Sequence, residues 1–141
     1  MPVEIRVLQE GEDAILAQVA PDVFDHDVIP EKAAEFLADP RHYIAVAIDD
    51  DTVIGIASAV SYLHPDKDIQ LCINEVGVAP SHRRKGIGKR LLMAIFEIGR
   101  ELGCTETWLG TEHDNESARA LYLSLGGAEE PFVMYTFKLS E

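Results

Sequence analysis

The sequence predicts a mixed α/β (α+β) fold, with one sheet of about six to seven strands flanked by four helices, in a single domain over residues 1–141. Three observations carry this expectation. Short apolar, β-branched runs alternate with runs whose apolar residues recur every three or four positions. Two runs, Tyr43 to Ile48 and Val53 to Tyr62, are separated only by residues 49–52, Asp-Asp-Asp-Thr, and so form an antiparallel hairpin. A further strand, ending at Val78, passes through a glycine loop straight into an amphipathic helix.

Taken in order, Ile5 to Leu8 is a short first strand, and Glu12 to Val19 sets Ile15, Leu16 and Val19 at helical spacing. Ala20 to Pro30 is a polar loop with one large apolar residue; it is either a binding wall or a connector whose Phe24 plugs the core. Glu31 to Ala38 is a second helix, with Pro30 ahead of its first turn and Asp39-Pro40 ending it. After the hairpin, His64 to Asp68 turns into the central strand Ile69 to Val78, and Pro80 stops its ladder by removing a backbone donor. Ile87, Leu91, Leu92, Ile95, Ile98 and Leu102 share one helix face, and Gly103 suits the left-handed residue that ends it. Glu106 to Gly110 is a strand holding Trp108. Asn115 caps a last helix through Leu125, closed by Gly126-Gly127, and Phe132 to Phe137 alternates as a final strand or pair.

Composition narrows the function classes. Hydrophobic content of 47% and charged content of 26% are those of a soluble globular protein. The longest apolar run, Tyr43 to Ile48, is too short to span a bilayer. The first residues lack the basic and apolar regions of a secretion signal. Cys72 and Cys104 have no C-x-x-C spacing and read as buried thiols in a reducing, cytoplasmic compartment. A net charge of −13 repels nucleic acid and anionic membranes and attracts cations. The five histidines show no metal-ligand spacing, and no Ser-His-Asp grouping is visible, so neither a metal nor an acyl-enzyme is indicated.

Against this acidic background, Arg83, Arg84, Lys85, Lys89 and Arg90 crowd five of the twelve basic residues into one window. They surround Gly86 and Gly88 at a helix start, where unpaired amides and about half a positive charge attract phosphate. A Walker loop would need Gly and Ser or Thr where Arg83 and Arg90 stand; a dinucleotide loop would need Gly where Leu91 stands. The pattern that fits is Arg-x-x-Gly-x-Gly, Arg83 to Gly88, preceded by Val76-Gly77-Val78. In these residues, and in its order of strands and helices, the chain resembles the GNAT superfamily of N-acetyltransferases. The resemblance implies a splayed central strand pair and acetyl-coenzyme A as cofactor. Its pyrophosphate would lie against Arg83, Arg84, Lys85, Gly86, Ile87, Gly88 and Lys89.

Gly77 inside an apolar strand calls for a bulge or the close approach of another backbone. The resemblance places the family's bulge here, so that coenzyme A pairs like an added strand with the Val76 and Val78 backbone, the Val78 amide serving as oxyanion donor. Asn115-x-x-Ala118-x-x-Leu121-Tyr122 resembles the family's second coenzyme motif. Asn115 and Tyr122, seven residues apart, share a helix face. By resemblance Asn115 and Ala118 hold coenzyme A and Tyr122 protonates the departing thiolate; a core tyrosine with a wet hydroxyl is the plain alternative. Glu75 is either a base for a protonated amine or a solvated edge acid. Glu112 and Asp114 suit an acceptor site and equally the dipole of the helix that follows.

Several segments are similar to the type I aminoglycoside 3-N-acetyltransferases: Val23-Phe24-Asp25, the His82-Arg83-Arg84 loop after Val76-x-Val78, Ala120-Leu121-Tyr122, and Glu129-Glu130 leading to Val133-Met134. Glu75 stands where that family has Asp, and Pro131-Phe132 reads as an insertion. The resemblance implies an aminoglycoside acceptor, a small cationic amine held by Phe24, Asp25, Asp27, Glu75, Glu112 and Asp114 and attacked directly. Two rival readings stand beside it. One is acetylation of a lysine, peptide N-terminus or polyamine; the other is a non-catalytic coenzyme A sensor. No nucleic-acid or membrane partner is expected, and a homodimer is compatible with this reading.

Overall fold

A computed structural model describes residues 2–140, and the chain divides into two compact units, Met1–Gly110 and Thr111–Glu141. The first unit holds one five-stranded sheet in sequential order, built from β1 (Glu4–Val7), β2 (His42–Asp49), β3 (Thr52–Tyr62), β4 (Gln70–Val78) and β5 (Thr107–Trp108). All neighbours are antiparallel except β4 and β5, which are parallel. The β2–β3 connection is the expected hairpin: Asp49 pairs with Thr52, and both central residues, Asp50 and Asp51, have positive φ. That is the type I′ turn, whose twist matches that of the strands.

α1 (Pro30–Ala38) starts with proline at its first position, where a missing amide costs nothing. α2 (Ile87–Leu102) buries Ile87, Leu91, Leu92 and Ile95 against the sheet. Each such side chain contributes about 1.5–3 kcal/mol on burial. Glycines set the spacing: a Cβ on Gly55 of β3 would lie 3.1 Å from Leu91, and one on Gly99 of α2 would lie 3.3 Å from Leu71. Gly103 ends α2 at φ 86° and donates to the Arg100 carbonyl, as its position predicts. Ile56, Leu71, Leu91, Leu92, Ile95, Val46 and Val53 are fully buried and form the centre of this core.

The second unit contains α3 (Glu116–Ser124) and the segment after it. Asn115 caps α3 by accepting from the Ala118 amide at 3.2 Å. No α3 residue is buried.

Four expectations need correction. The described residues form a sheet of five strands and three α-helices, fewer than expected. The helix expected over Glu12 to Val19 is a five-residue 3-10 turn, Asp13–Ala17, too short to sustain α pairing. The strand expected over Glu106 to Gly110 shrinks to Thr107–Trp108, because β4 stops pairing with β5 after Cys72. Phe132 to Phe137 forms no strand, and Phe132, Val133, Met134, Tyr135 and Phe137 are 66–79% exposed. An alternating pattern makes a strand only where a partner row of backbone groups meets it.

Candidate active site

The site is built on β4, and a bulge decides what β4 presents. β3 and β4 pair Ala59 with Ile73 but Ser58 with Glu75, so Asn74 is the extra residue. Leu71 points at α2, against Gly99, so Cys72 points to the opposite face. Strict alternation would then send Glu75 toward α2. The bulge resets the register and puts Glu75 on the same face as Cys72. Gly77 lies on that face as well, where an added Cβ would sit 2.3 Å from the Val23 carbonyl oxygen. The sequence expectation of a bulge at Gly77 is therefore displaced: Asn74 carries the bulge, and Gly77 makes room for the crossing backbone of Val23.

That crossing brings the loop between the Asp13–Ala17 turn and α1 over the outer face of β4. Its start is anchored by hydrogen bonds between Gln18, Ala20 and Val53. The loop lines an open cleft of about 530 Å³, and Phe24, Asp25, His26 and Asp27 are among the residues bordering it. Burial, and then the charge of Asp25, push the Glu75 carboxyl above its ordinary value although its side chain keeps access to solvent. Phe24, Asp25, Asp27 and Glu75, expected as acceptor residues, thus belong to one neighbourhood of the first unit.

The other edge of β4 is open. β5 pairs only with Leu71 and Cys72, and β4 runs on to Val78. The Ala79 amide donates to Ile54 of β3 at 2.8 Å. Backbone groups of successive strand residues turn to alternate sides, so those of Val78 and Val76 face the open edge. Arg83 Nε donates to the Val78 carbonyl at 3.0 Å, leaving the Val78 amide and both Val76 groups for a ligand.

Beyond β4, Pro80–His82 forms a short 3-10 turn before the basic loop. Arg84 and Gly86 both take positive φ, 63° and 76°. The first of these costs about 1–2 kcal/mol for a residue with a Cβ. Gly86 caps α2 without any side-chain bond, and its carbonyl accepts from Arg90, so the amides of Ile87, Gly88 and Lys89 precede the helical ladder. Among the described residues Arg83, Arg84, Lys85 and Lys89 form no ion pair. Arg90 is committed elsewhere, donating to the Val3 carbonyl. A curled loop with free amides and four unpaired cations fits a pyrophosphate.

The loop is also pinned. His82 Nε2 meets Asp49 Oδ2 at 2.7 Å and His82 Nδ1 meets Ser81 Oγ at 2.7 Å. An Nε2–H donating to the carboxylate leaves Nδ1 to accept the serine proton. Sequence spacing hid this Ser-His-Asp grouping, since Asp49 lies 33 positions away in the hairpin. It ties the basic loop to the β2–β3 turn.

In the second unit, the Asn115 side chain is occupied by its capping bond and by contacts to Thr111 and Ser117. Ala118 and Tyr122 are half-buried on α3, and burial pushes the Tyr122 phenol up. Gly127 donates to the Tyr122 carbonyl at 3.0 Å, and Arg119 bridges the His113 carbonyl and Glu129. Glu112 and Asp114 are exposed ahead of the helix, with their carbonyls accepting from Asn115 and Glu116.

Comparison with known proteins gives the family and the fold. The acetyltransferase (GNAT) family pattern matches residues 12–126. A streptothricin acetyltransferase of Streptomyces lavendulae is 38% identical over 91 residues, 64% of this chain and 46% of that protein, so the chain spans about half its length. The N-alpha-acetyltransferase RimI of Mycobacterium tuberculosis is 30% identical over 128 residues, 89% of this chain and 78% of that one. The solved structure of AAC(6')-Iy in complex with the bisubstrate analog CoA-S-monomethyl-acetylneamine superposes with a TM-score of 0.79 at 23% identity, covering 99% of this chain and all of that one.

Proposed function

We propose, from the premise that this chain belongs to the acetyltransferase (GNAT) family, that it moves the acetyl group of acetyl-coenzyme A onto a primary amine of a small polycation of the aminoglycoside class. The observation that carries the reading is the juxtaposition on β4: an open backbone edge at Val76 and Val78 running into a basic loop, with Glu75 beside Asp25 on the adjoining face.

Arg83, Arg84, Lys85 and Lys89 and the amides of Gly86, Ile87 and Gly88 would hold the pyrophosphate, with Asn115 and Ala118 as further coenzyme contacts. Bound acetyl-coenzyme A supplies an activated acyl group as a thioester. The Val78 amide would donate to the thioester carbonyl oxygen, an interaction worth ~3–4 kcal/mol in enzymes where it has been removed. An amine of pKa ~10.4 must lose its proton before attack, at a cost of ~4.6 kcal/mol at pH 7 by the 1.36 kcal/mol per unit relation. Glu75, with its raised carboxyl, accepts that proton directly or through water. Tyr122, protonated at neutral pH, would be the proton source for the departing thiolate. Asp25, Asp27, Glu112 and Asp114 draw in the remaining ammonium groups, with Phe24 against the acceptor's apolar side. We place the reaction in the cytoplasm; no helix among the described residues is long and apolar enough to cross a membrane.

A second reading, acetylation of a peptide N-terminus, draws support from the 30% identity to RimI over 89% of the chain. Thioester consumption measured with gentamicin, spermidine, a lysine peptide and an N-terminal alanine peptide separates the two. Turnover confined to the peptides would move the assignment to protein acetylation, and a thermal shift with acetyl-coenzyme A but no turnover on any amine would leave a coenzyme sensor.

A further inference from the structure

Trp108 is the chain's one tryptophan, and it is 49% exposed. An indole left half in water is costly in apolar area, yet this one is held in place. Its Nε1–H donates to the Tyr62 hydroxyl at 3.1 Å. Tyr62 packs edge-on against His64, with ring centroids 4.9 Å apart and planes at 65°. His64 Nε2 in turn meets Gln70 Oε1 at 2.8 Å. Strands β3, β4 and β5 thus cooperate to fix one exposed ring.

The register tells which way that ring faces. Trp108 pairs with Cys72 and Tyr62 with Gln70, both on the face of β4 opposite α2. The Asn74 bulge returns Glu75 to that same face. Trp108 therefore stands on the Glu75 side of the sheet, at the point where β5 leaves β4. Cys72 and Glu75 pair with Val60 and Ser58, two residues apart on β3, so about 7 Å of strand separates them at roughly 3.3 Å per residue.

We propose that Trp108 is an acceptor-binding residue: its ring face takes a second ammonium group of a polycationic acceptor whose reacting amine lies at Glu75. Indole is the strongest of the aromatic faces for a cation, at ~0.5–2 kcal/mol depending on desolvation. Tyr62 and His64 are positioning residues that hold the ring. The acceptor class this selects has two ammonium groups about 7 Å apart or less, which a multi-ring aminoglycoside has and a simple monoamine lacks. The inference rests on the acetyltransferase reading for the role of Glu75, while the ring's affinity for a polycation can be read without catalysis.

The test uses the full-length protein saturated with coenzyme A, which binds without reacting. Because there is one tryptophan, its emission reports on this ring alone. Titration with gentamicin should change the emission saturably, and ethylamine at the same concentration should not. Trp108→Ala should raise the gentamicin KM about two- to thirtyfold, the range corresponding to that cation–π interaction, with the acetyl-coenzyme A KM and kcat within twofold. Trp108→Phe should recover part of the loss, and Tyr62→Phe should raise KM less than Trp108→Ala. An emission change without acetyl transfer would support the ring's role and sink the enzymatic reading. Emission unmoved by gentamicin up to 10 mM would overturn the proposal, as would an unchanged gentamicin KM in a folded Trp108→Ala enzyme.

Discussion

Glu75 can accept a proton only when ionised, and its environment holds its carboxyl above the ordinary range. The acidic limb of kcat/KM should therefore fall through a value above ~4.3, the unperturbed glutamate pKa. Glu75→Gln should flatten that limb and lower kcat/KM at neutral pH, less so at high pH where free amine is abundant. A limb unchanged in Glu75→Gln would assign it to another group. Linkage gives a second readout. The native carboxyl binds its proton more tightly than the unfolded one, so stability falls as pH rises from the ordinary value through the raised one, and Glu75→Gln should abolish that fall in urea titrations. Tyr122 is shifted upward too and remains a donor past neutral pH. Tyr122→Phe should cut kcat by ~10²–10⁴ with coenzyme binding nearly intact when chemistry limits the rate. Both residues were visible as candidates in the sequence. The Trp108–Tyr62 and His82–Asp49 contacts were not, because 46 and 33 positions separate the partners and only the folded register joins them.

At the scale of single elements, β4 gathers Glu75, Gly77 and the open backbone edge within nine residues. Its glycine was legible as either a bulge or a close approach, and the Val23 crossing decides for the second. The bulge's true place was not, because Asn74 is an ordinary polar residue whose effect on facing emerges only from pairing with β3. Gly77→Ala should destabilise the fold by about 1–3 kcal/mol in urea unfolding, since backbone lies on both sides of the clash and neither can rotate away. Wild-type stability in that variant would mean that the Val23 crossing is not held in solution. The basic loop has its own dependence on its neighbours. His82→Ala should raise the acetyl-coenzyme A KM roughly two- to tenfold, as for the loss of a hydrogen bond worth about 0.5–1.4 kcal/mol, with kcat little changed. The predicted final strand fails for the converse reason: Phe132 to Phe137 has the alternation but no paired row of amides.

For the whole molecule, charge is unevenly distributed: a net −13 overall, with Arg83, Arg84, Lys85 and Lys89, which form no ion pair among the described residues, gathered around one helix start. Acceptor contacts to Asp25 and Glu75 keep access to water, so the KM for gentamicin should climb steeply as salt shortens the Debye length toward ~3 Å at 1 M. A salt-independent KM would deny that carboxylates recruit the acceptor. The fold class was legible because period-2 and period-3.6 runs are long and clearly separated; strand count was not, because it depends on which runs find partners. The open edge of β4 also bears on how the protein keeps company with other chains. From Ile73 to Val78 it offers backbone groups to any extended segment, as exposed sheet edges do. A coenzyme that lies along this edge would act as a guard as well as a reagent. Light scattering on gentle heating should show the coenzyme-free protein associating sooner than the coenzyme-saturated one, and short β-prone peptides should compete with coenzyme for the edge.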